Sequence, residues 1–147
     1  MLKLQTKVDV LPSSVKISPE DGVVVLGSCF ADSVGERMSH GGFDVCVNPF
    51  GTLYNPLSLA SAISRLDSCT PFSHDDCVPM GAGAGLVCSF SHHTSFARVD
   101  EAAFLGNANA ALEKACAAWK KASKVIGVPT SIVTSFLIPP RLEHAMR

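Results

Sequence analysis

Apolar residues along this chain fall into runs whose period switches between two and about 3.6, and each switch marks an element. Val23-Val24-Val25-Leu26 is an unbroken apolar run between Gly22 and Gly27. Such a run reads as a strand buried on both faces of a parallel sheet. From Ala31 to His40 the spacing turns helical, with Phe30, Val34 and Met38 recurring every fourth residue and expected to face the sheet. Gly41-Gly42 supplies the stop. Phe43 to Val47 then alternates and reads as the second strand of a right-handed βαβ unit. A second helix is predicted over Pro56 to Leu66, burying Leu59, Ile63 and Leu66. Asp67 to Gly85 is loop-like, and Leu86 to Phe90 reads as a short strand.

The longest helical pattern runs from Asp100 to Lys124. Phe104, Ala108, Leu112, Ala115, Trp119, Ala122 and Ile126 keep its spacing, Asp100 caps it, and Gly127 and Pro129 close it. Ser131 to Ile138 is expected to be a third strand, reached by another βα step and stopped by Pro139-Pro140. Residues 1–21 form an N-terminal arm in which Lys3 to Val10 reads as a short edge strand, before Pro12, Ser13, Ser14 and Pro19 break it. Strands alternating with helices predict an α/β fold with a mainly parallel sheet.

Composition narrows the function classes. The 147 residues suffice for a single domain with a real core, residues 1–147. A formal net charge of −1 leaves no electrostatic footprint for nucleic acid. No apolar run reaches membrane-spanning length, and the N-terminus has no apolar signal-peptide core. The six cysteines show no Cys-x-x-Cys spacing. Cys46, Cys88 and Cys116 sit within apolar patterns, so buried free thiols and a cytoplasmic location are expected, with no metal site and no cofactor.

The chemistry concentrates where the first strand ends. Gly27 permits a sharp turn, and Ser28 sits at the hand-over to the helix. The carboxyl ends of strands in open α/β sheets are where ligands bind. A hydroxyl there, beside the N–H groups that open a helix, is placed to act as a nucleophile next to a site for negative charge. On chemistry alone, capping the helix is the commoner role for a serine in this place. It is not a Gly-x-Ser-x-Gly elbow, since no glycine stands two residues before or after it. Cys29, at the helix start, is a weaker candidate nucleophile or redox site.

Three further stretches bear on the site. The loop Asn48-Pro49-Phe50-Gly51-Thr52-Leu53-Tyr54-Asn55-Pro56 leaves the second strand beside Ser28. Asn48 and Asn55 carry amide donors suited to a developing oxyanion, although Asn55 before Pro56 also fits an N-cap. Asn48 stands where a dinucleotide site wants an acid, and Gly-x-Gly-x-x-Gly is missing, which argues against NAD. The glycines at 81, 83 and 85 precede no Gly-Lys-Ser/Thr and read as a turn, not a phosphate cradle. His92 and His93, adjacent in an extended segment, must point to opposite sides. One of them is a candidate for lining the site and the other for solvent, and as a metal pair they lack a third ligand.

The residues Gly27-Ser28-Cys29-Phe30-Ala31, together with Leu4-Gln5-Thr6-Lys7-Val8, Gly35-Glu36-Arg37-Met38, Asn48 to Ser58 and His92-His93-Thr94-Ser95-Phe96, resemble the GSCFA-domain family, which is related to the SGNH/GDSL hydrolases. The resemblance covers about residues 1–134. It implies a three-layer α/β/α sandwich of SGNH-like, flavodoxin-like topology, with Ser28 in the position of the catalytic serine. It also places Gly51 as a backbone donor to the oxyanion. In that family an Asn donor and an activating Asp and His are expected further along, beyond the stretch that the resemblance covers. His144 is the one histidine near the C-terminus, and Arg141-Leu142-Glu143-His144 is not an Asp-x-x-His arrangement.

The chain therefore reads as a shortened N-terminal portion, incomplete at its C-terminus, with an uncovered sheet edge suited to self-association. Three functions follow. One is a serine hydrolase, esterase or acyl-transfer type, acting on a small-molecule ester or acylated substrate. The second is a catalytically inactive family member that binds a ligand or partner. The third is a cysteine-based acyl carrier or redox site at Cys29.

Overall fold

A computed structural model describes residue 9, residues 11–81 and 85–128, and the backbone of residues 136–138. The apolar run forms β1 (Gly22–Gly27), which pairs in parallel with β2 (Asp44–Val47) on one side. Between them lies α1 (Cys29–His40). A second helix, α2 (Pro56–Ser68), begins at Asn55, which caps it ahead of a proline at the first helical position. A small antiparallel ribbon of β3 (Val78–Met80) and β4 (Leu86–Cys88) leads to α3 (Glu101–Lys121), capped by Asp100. The chain then forms β5 (Ala122–Val128), parallel to β1 on its other side, and β6 (Phe136–Ile138), antiparallel to β5. The sheet order is β2-β1-β5-β6.

The alternation of buried side chains along β1 divides the core. Val24 and Leu26 point to the side of α2 and α3, where Phe50, Leu59, Ala62, Leu66, Phe72, Phe104, Ala108 and Leu112 are buried. Val23 and Val25 point the other way, against Ala31 of α1, with Ile17, Met38, Val45, Val47, Ile126 and Val128 around them. The result is a three-layer α/β/α arrangement, as the resemblance implies, on the mainly parallel sheet that the alternation of strands and helices predicts.

Four expectations need correction. The long helix ends at Lys121, and Ala122 and Ile126 belong to a central strand. Their helical spacing is a coincidence of position. Val125, Ile126 and Val128 are β-branched, and a place beside β1 suits such side chains better than one more helical turn. Asp21 anchors the start of that strand by accepting hydrogen bonds from Ser123 Oγ and Lys124 Nζ. The strand after it is antiparallel, not a further parallel βα step, and residues 131–135 lie outside the described residues.

On α1 the sheet-facing residues are Ala31 and Gly35 with half-buried Met38, while Phe30 is 62% exposed. Small residues let the helix lie close to β2, so the apolar spacing of four places Met38 correctly but misses Ala31 and Gly35 by one residue each. The stretch 67–85 is not all loop, since it holds β3 and a 3₁₀ turn at His74–Asp76. Lys3 to Val8, Val10, residues 82–84 and His144 lie outside the described residues.

The cysteines also depart from the expectation of free buried thiols. Cys69 and Cys116 form a disulfide with their Cα atoms 6.0 Å apart, tying the end of α2 to α3 across 47 residues of sequence. Of the free cysteines, Cys88 is buried and Cys29 is exposed.

Candidate active site

The site is assembled where β1, β2 and β5 end on the same side of the sheet. Gly27 adopts φ +144°, and a Cβ there would collide with the Val128 carbonyl. Only glycine therefore lets β1 turn this tightly beside β5. Ser28 follows in extended conformation as the N-cap of α1, 6% exposed. Its N–H donates to the Val128 carbonyl at 3.1 Å. Its Oγ accepts from the Phe30 N–H at a long 3.4 Å. Among the described residues, no imidazole or carboxylate hydrogen-bonds this hydroxyl. The serine that sequence reasoning singles out thus stands at a helix N-terminus, held by its backbone and loosely engaged through its side chain.

Asn48 holds the turn together. It sits at φ +39°, a conformation Asn tolerates better than most residues. Its N–H donates to Val25 O at 2.9 Å, and its Oδ1 accepts from the Gly27 N–H at 2.7 Å. Its Nδ2 donates to Asp32 Oδ1 at 2.6 Å, and its carbonyl accepts from the Gly51 N–H at 2.8 Å. One residue therefore ties the end of β1 and the first turn of α1 through its side chain, and the following loop through its backbone carbonyl.

These bonds engage two donors expected to face the site, and they give Asn55 the capping role that its place before Pro56 also predicts. The Asn48 amide is engaged by Gly27 and Asp32 rather than standing free for an oxyanion. The Gly51 N–H closes the Asn48–Gly51 turn, with Pro49 in the second position that such turns favour. Asn55 accepts from the Leu57 N–H at 2.8 Å as the cap of α2. Asp32 was not among the residues singled out from sequence. It lies 16 residues before Asn48, and no local pattern announces a bond across that distance.

The adjacent histidines part as an extended segment requires. His92 is 6% exposed and lies among the rings of Phe50, Phe72, Phe96 and Phe104. Its Nδ1 is 2.7 Å from Ser89 Oγ, and its Nε2 is buried with no hydrogen-bond partner among the described residues. Burial, reinforced by the nearby Arg65 cation, pushes its pKa down to about 4. His92 is therefore held neutral within the aromatic core.

His93 packs over Gly51, which at φ +78° has no room for a Cβ against it. The His93 N–H donates to Phe50 O at 2.9 Å, tying this segment to the loop. Its Nδ1 accepts from the Ser95 N–H at 3.2 Å. A neutral ring held that way carries its proton on Nε2 and presents a donor, not a base.

The chemistry available is that of a hydroxyl at a helix N-terminus and an imidazole N–H over the neighbouring loop. Exposed apolar side chains occur on the same segments: Phe30 on α1, Tyr54 and Leu57 at the start of α2, and Phe90 ahead of the histidines. Among the described residues no three His, Cys, Asp or Glu side chains are grouped to hold a metal ion. Among the described residues no helix is long and apolar enough to cross a membrane.

Comparison with curated proteins and with solved structures finds no match. The model of the GSCFA family matches residues 22–127, from the first residue of β1 almost to the end of β5. That span holds the Gly27–Ser28 turn, the Asn48 network and both histidines. With well over half of its length covered by that match, the chain belongs to the GSCFA family.

Proposed function

We propose that Ser28 is the nucleophile of a serine hydrolase, of esterase or acyl-transfer type, acting on a small-molecule ester or acylated substrate. The observation that carries this reading is the placement of its hydroxyl at the carboxyl end of the central strand, at the N-terminus of α1, with one long hydrogen bond from Phe30. A nucleophile needs a base. Because the bond from Ser95 leaves His93 presenting a donor, the base is supplied from outside the described residues, and His93 contributes a hydrogen bond to the substrate oxygen.

The test is covalent labelling of the folded chain with a fluorophosphonate. A single adduct mapping to Ser28, and lost in Ser28→Ala, supports the reading. A folded chain that takes no label contradicts it.

A second reading is favoured by a different observation. The polar groups of the loop are satisfied internally, Asn48 by Gly27 and Asp32, the Gly51 N–H by Asn48, and Asn55 by Leu57. On that reading the domain is an inactive family member that binds a ligand or partner. Its binding survives Ser28→Ala and is lost when the loop from Asn48 to Asn55 is altered.

A further inference from the structure

β2 is the terminal strand of the sheet, and among the described residues nothing pairs with its outer edge. The ladder to β1 determines which of its backbone groups are free. The Asn48 N–H donates to Val25 O, and successive residues of a strand alternate sides. Asp44 and Cys46 thus face β1 with their backbone groups, while Val45 and Val47 carry theirs outward. The side chains divide the other way. Val45 and Val47 pack on the α1 side, and Cys46 packs on the α3 side.

Two cavities of about 320 and 220 Å³ lie along this strand on the α3 side, and both are bordered by Cys46 and Lys114. Their helical walls are made largely of alanines, among them Ala110, Ala111 and Ala118, with Asn107 at one end and Lys121 at the other. Among the described residues the edge therefore offers unpaired backbone groups beside a groove whose two halves share Lys114, with the chain's own Asp44 lining only the smaller half.

We propose that this edge is the interface of a homodimer, formed by antiparallel pairing of β2 with the same strand of a second copy. Such a contact is self-complementary, as a two-fold interface must be. Outward residues must meet outward residues, so Val45 opposes either the partner's Val45 or, with the two-fold axis at Cys46, its Val47, and the second is the register proposed because it carries the partner's Asp44 further along the groove. That register overlaps the four-residue strand as fully as an axis within it allows. It brings the partner's Asp44 opposite Asn48, with its side chain on the α3 side. There it enters the larger cavity, which is lined by Asn107 and Lys114. The symmetry repeats the Asp44–Lys114 pair on the other side. The chain's own strand thus supplies both the missing backbone partner and the acidic group that the groove accepts.

Sedimentation velocity over a wide range of concentration tests this. The expected result is a dimer that dissociates on dilution. Asp44 and Lys114 are both exposed in the single chain, so reversing either charge leaves the fold intact, which a thermal melt confirms. Asp44→Lys or Lys114→Glu alone is expected to weaken dimerisation by about tenfold or more. The two together restore it.

Cys46 lies across the axis from its counterpart at about 4.5 Å between Cα atoms, the spacing of a non-hydrogen-bonded antiparallel pair. Mild oxidation with copper–phenanthroline is expected to yield a covalent dimer that Cys46→Ser abolishes. A chain that sediments as a monomer throughout overturns the proposal. So does a dimer indifferent to both charge reversals and to Cys46→Ser.

Discussion

The two faces of the sheet are built to different standards. On the α2/α3 side, aromatic rings and leucines are packed around Val24 and Leu26, the loop before the ribbon is pinned, and a disulfide joins the two helices. Arg65 there stacks on Phe72 at 4.4 Å, donates to the Thr70 and Pro71 carbonyls and pairs with Asp76, while Asn109 bonds Phe72 through both of its amide atoms. On the α1 side, Val23, Val25 and Ala31 are buried, and the rest of the apolar contact is partial. The difference teaches how labour is divided. The thick face supplies stability, and the thin face carries the helix whose N-terminus holds Ser28. That turn is then positioned by specific bonds from Asn48 more than by packing.

The comparison breaks first at Phe104, which is fully buried on the thick face. Phe104→Ala is expected to cost about 3–5 kcal/mol, read from denaturant midpoints. Met38→Ala on the thin face, where the side chain is only half buried, is expected to cost about 1 kcal/mol. Equal losses would contradict the division.

Acid should attack the thick face next. His92 ordinarily titrates near 6.5 and in the fold near 4, so the folded state holds fewer protons than the unfolded chain between those values. Its neutral form supports folding fully above about pH 6.5, and that support drains away as pH falls toward 4. The displacement corresponds to about 3 kcal/mol. His92→Leu should flatten this part of the stability profile, and an unchanged profile would show that another group is responsible.

Asn48→Ala sharpens the account of the turn. It leaves the Gly27 N–H without an acceptor, and a loss of about 1–3 kcal/mol is expected from thermal melts. The smallest effect should come from Ser28→Ala. Caps are typically worth about 1 kcal/mol, and the 3.4 Å bond to Phe30 is at the weak end, so the variant should remain folded.

Much of this was legible in the chain. The run Val23–Leu26 and the alternation before Asn48 locate two parallel strands, and Ser28, Asn55 and Asp100 are each found at helix starts that their side chains mark. The ribbon was not legible, because β3 is three residues long with a proline at its centre. β5 was hidden because its apolar residues continue the spacing of the helix before it. The adjacency of His92 and His93 requires that they part, but which one turns inward depends on rings at positions 50, 72 and 104, far away in sequence. The Asn48–Asp32 and Cys69–Cys116 links are long-range in the same way. Sequence thus located the turn that ends β1, and tertiary contacts decided which of the polar groups around it are already engaged.

The central claim is that the hydroxyl at the end of β1 is a nucleophile. Intact mass measurement of the folded chain after fluorophosphonate treatment, with Ser28→Ala beside it, tests that most directly. The account predicts one added phosphonyl group that peptide mapping assigns to Ser28 and that the variant lacks. An unmodified, folded chain would contradict it and leave Ser28 as a helix cap in a binding domain.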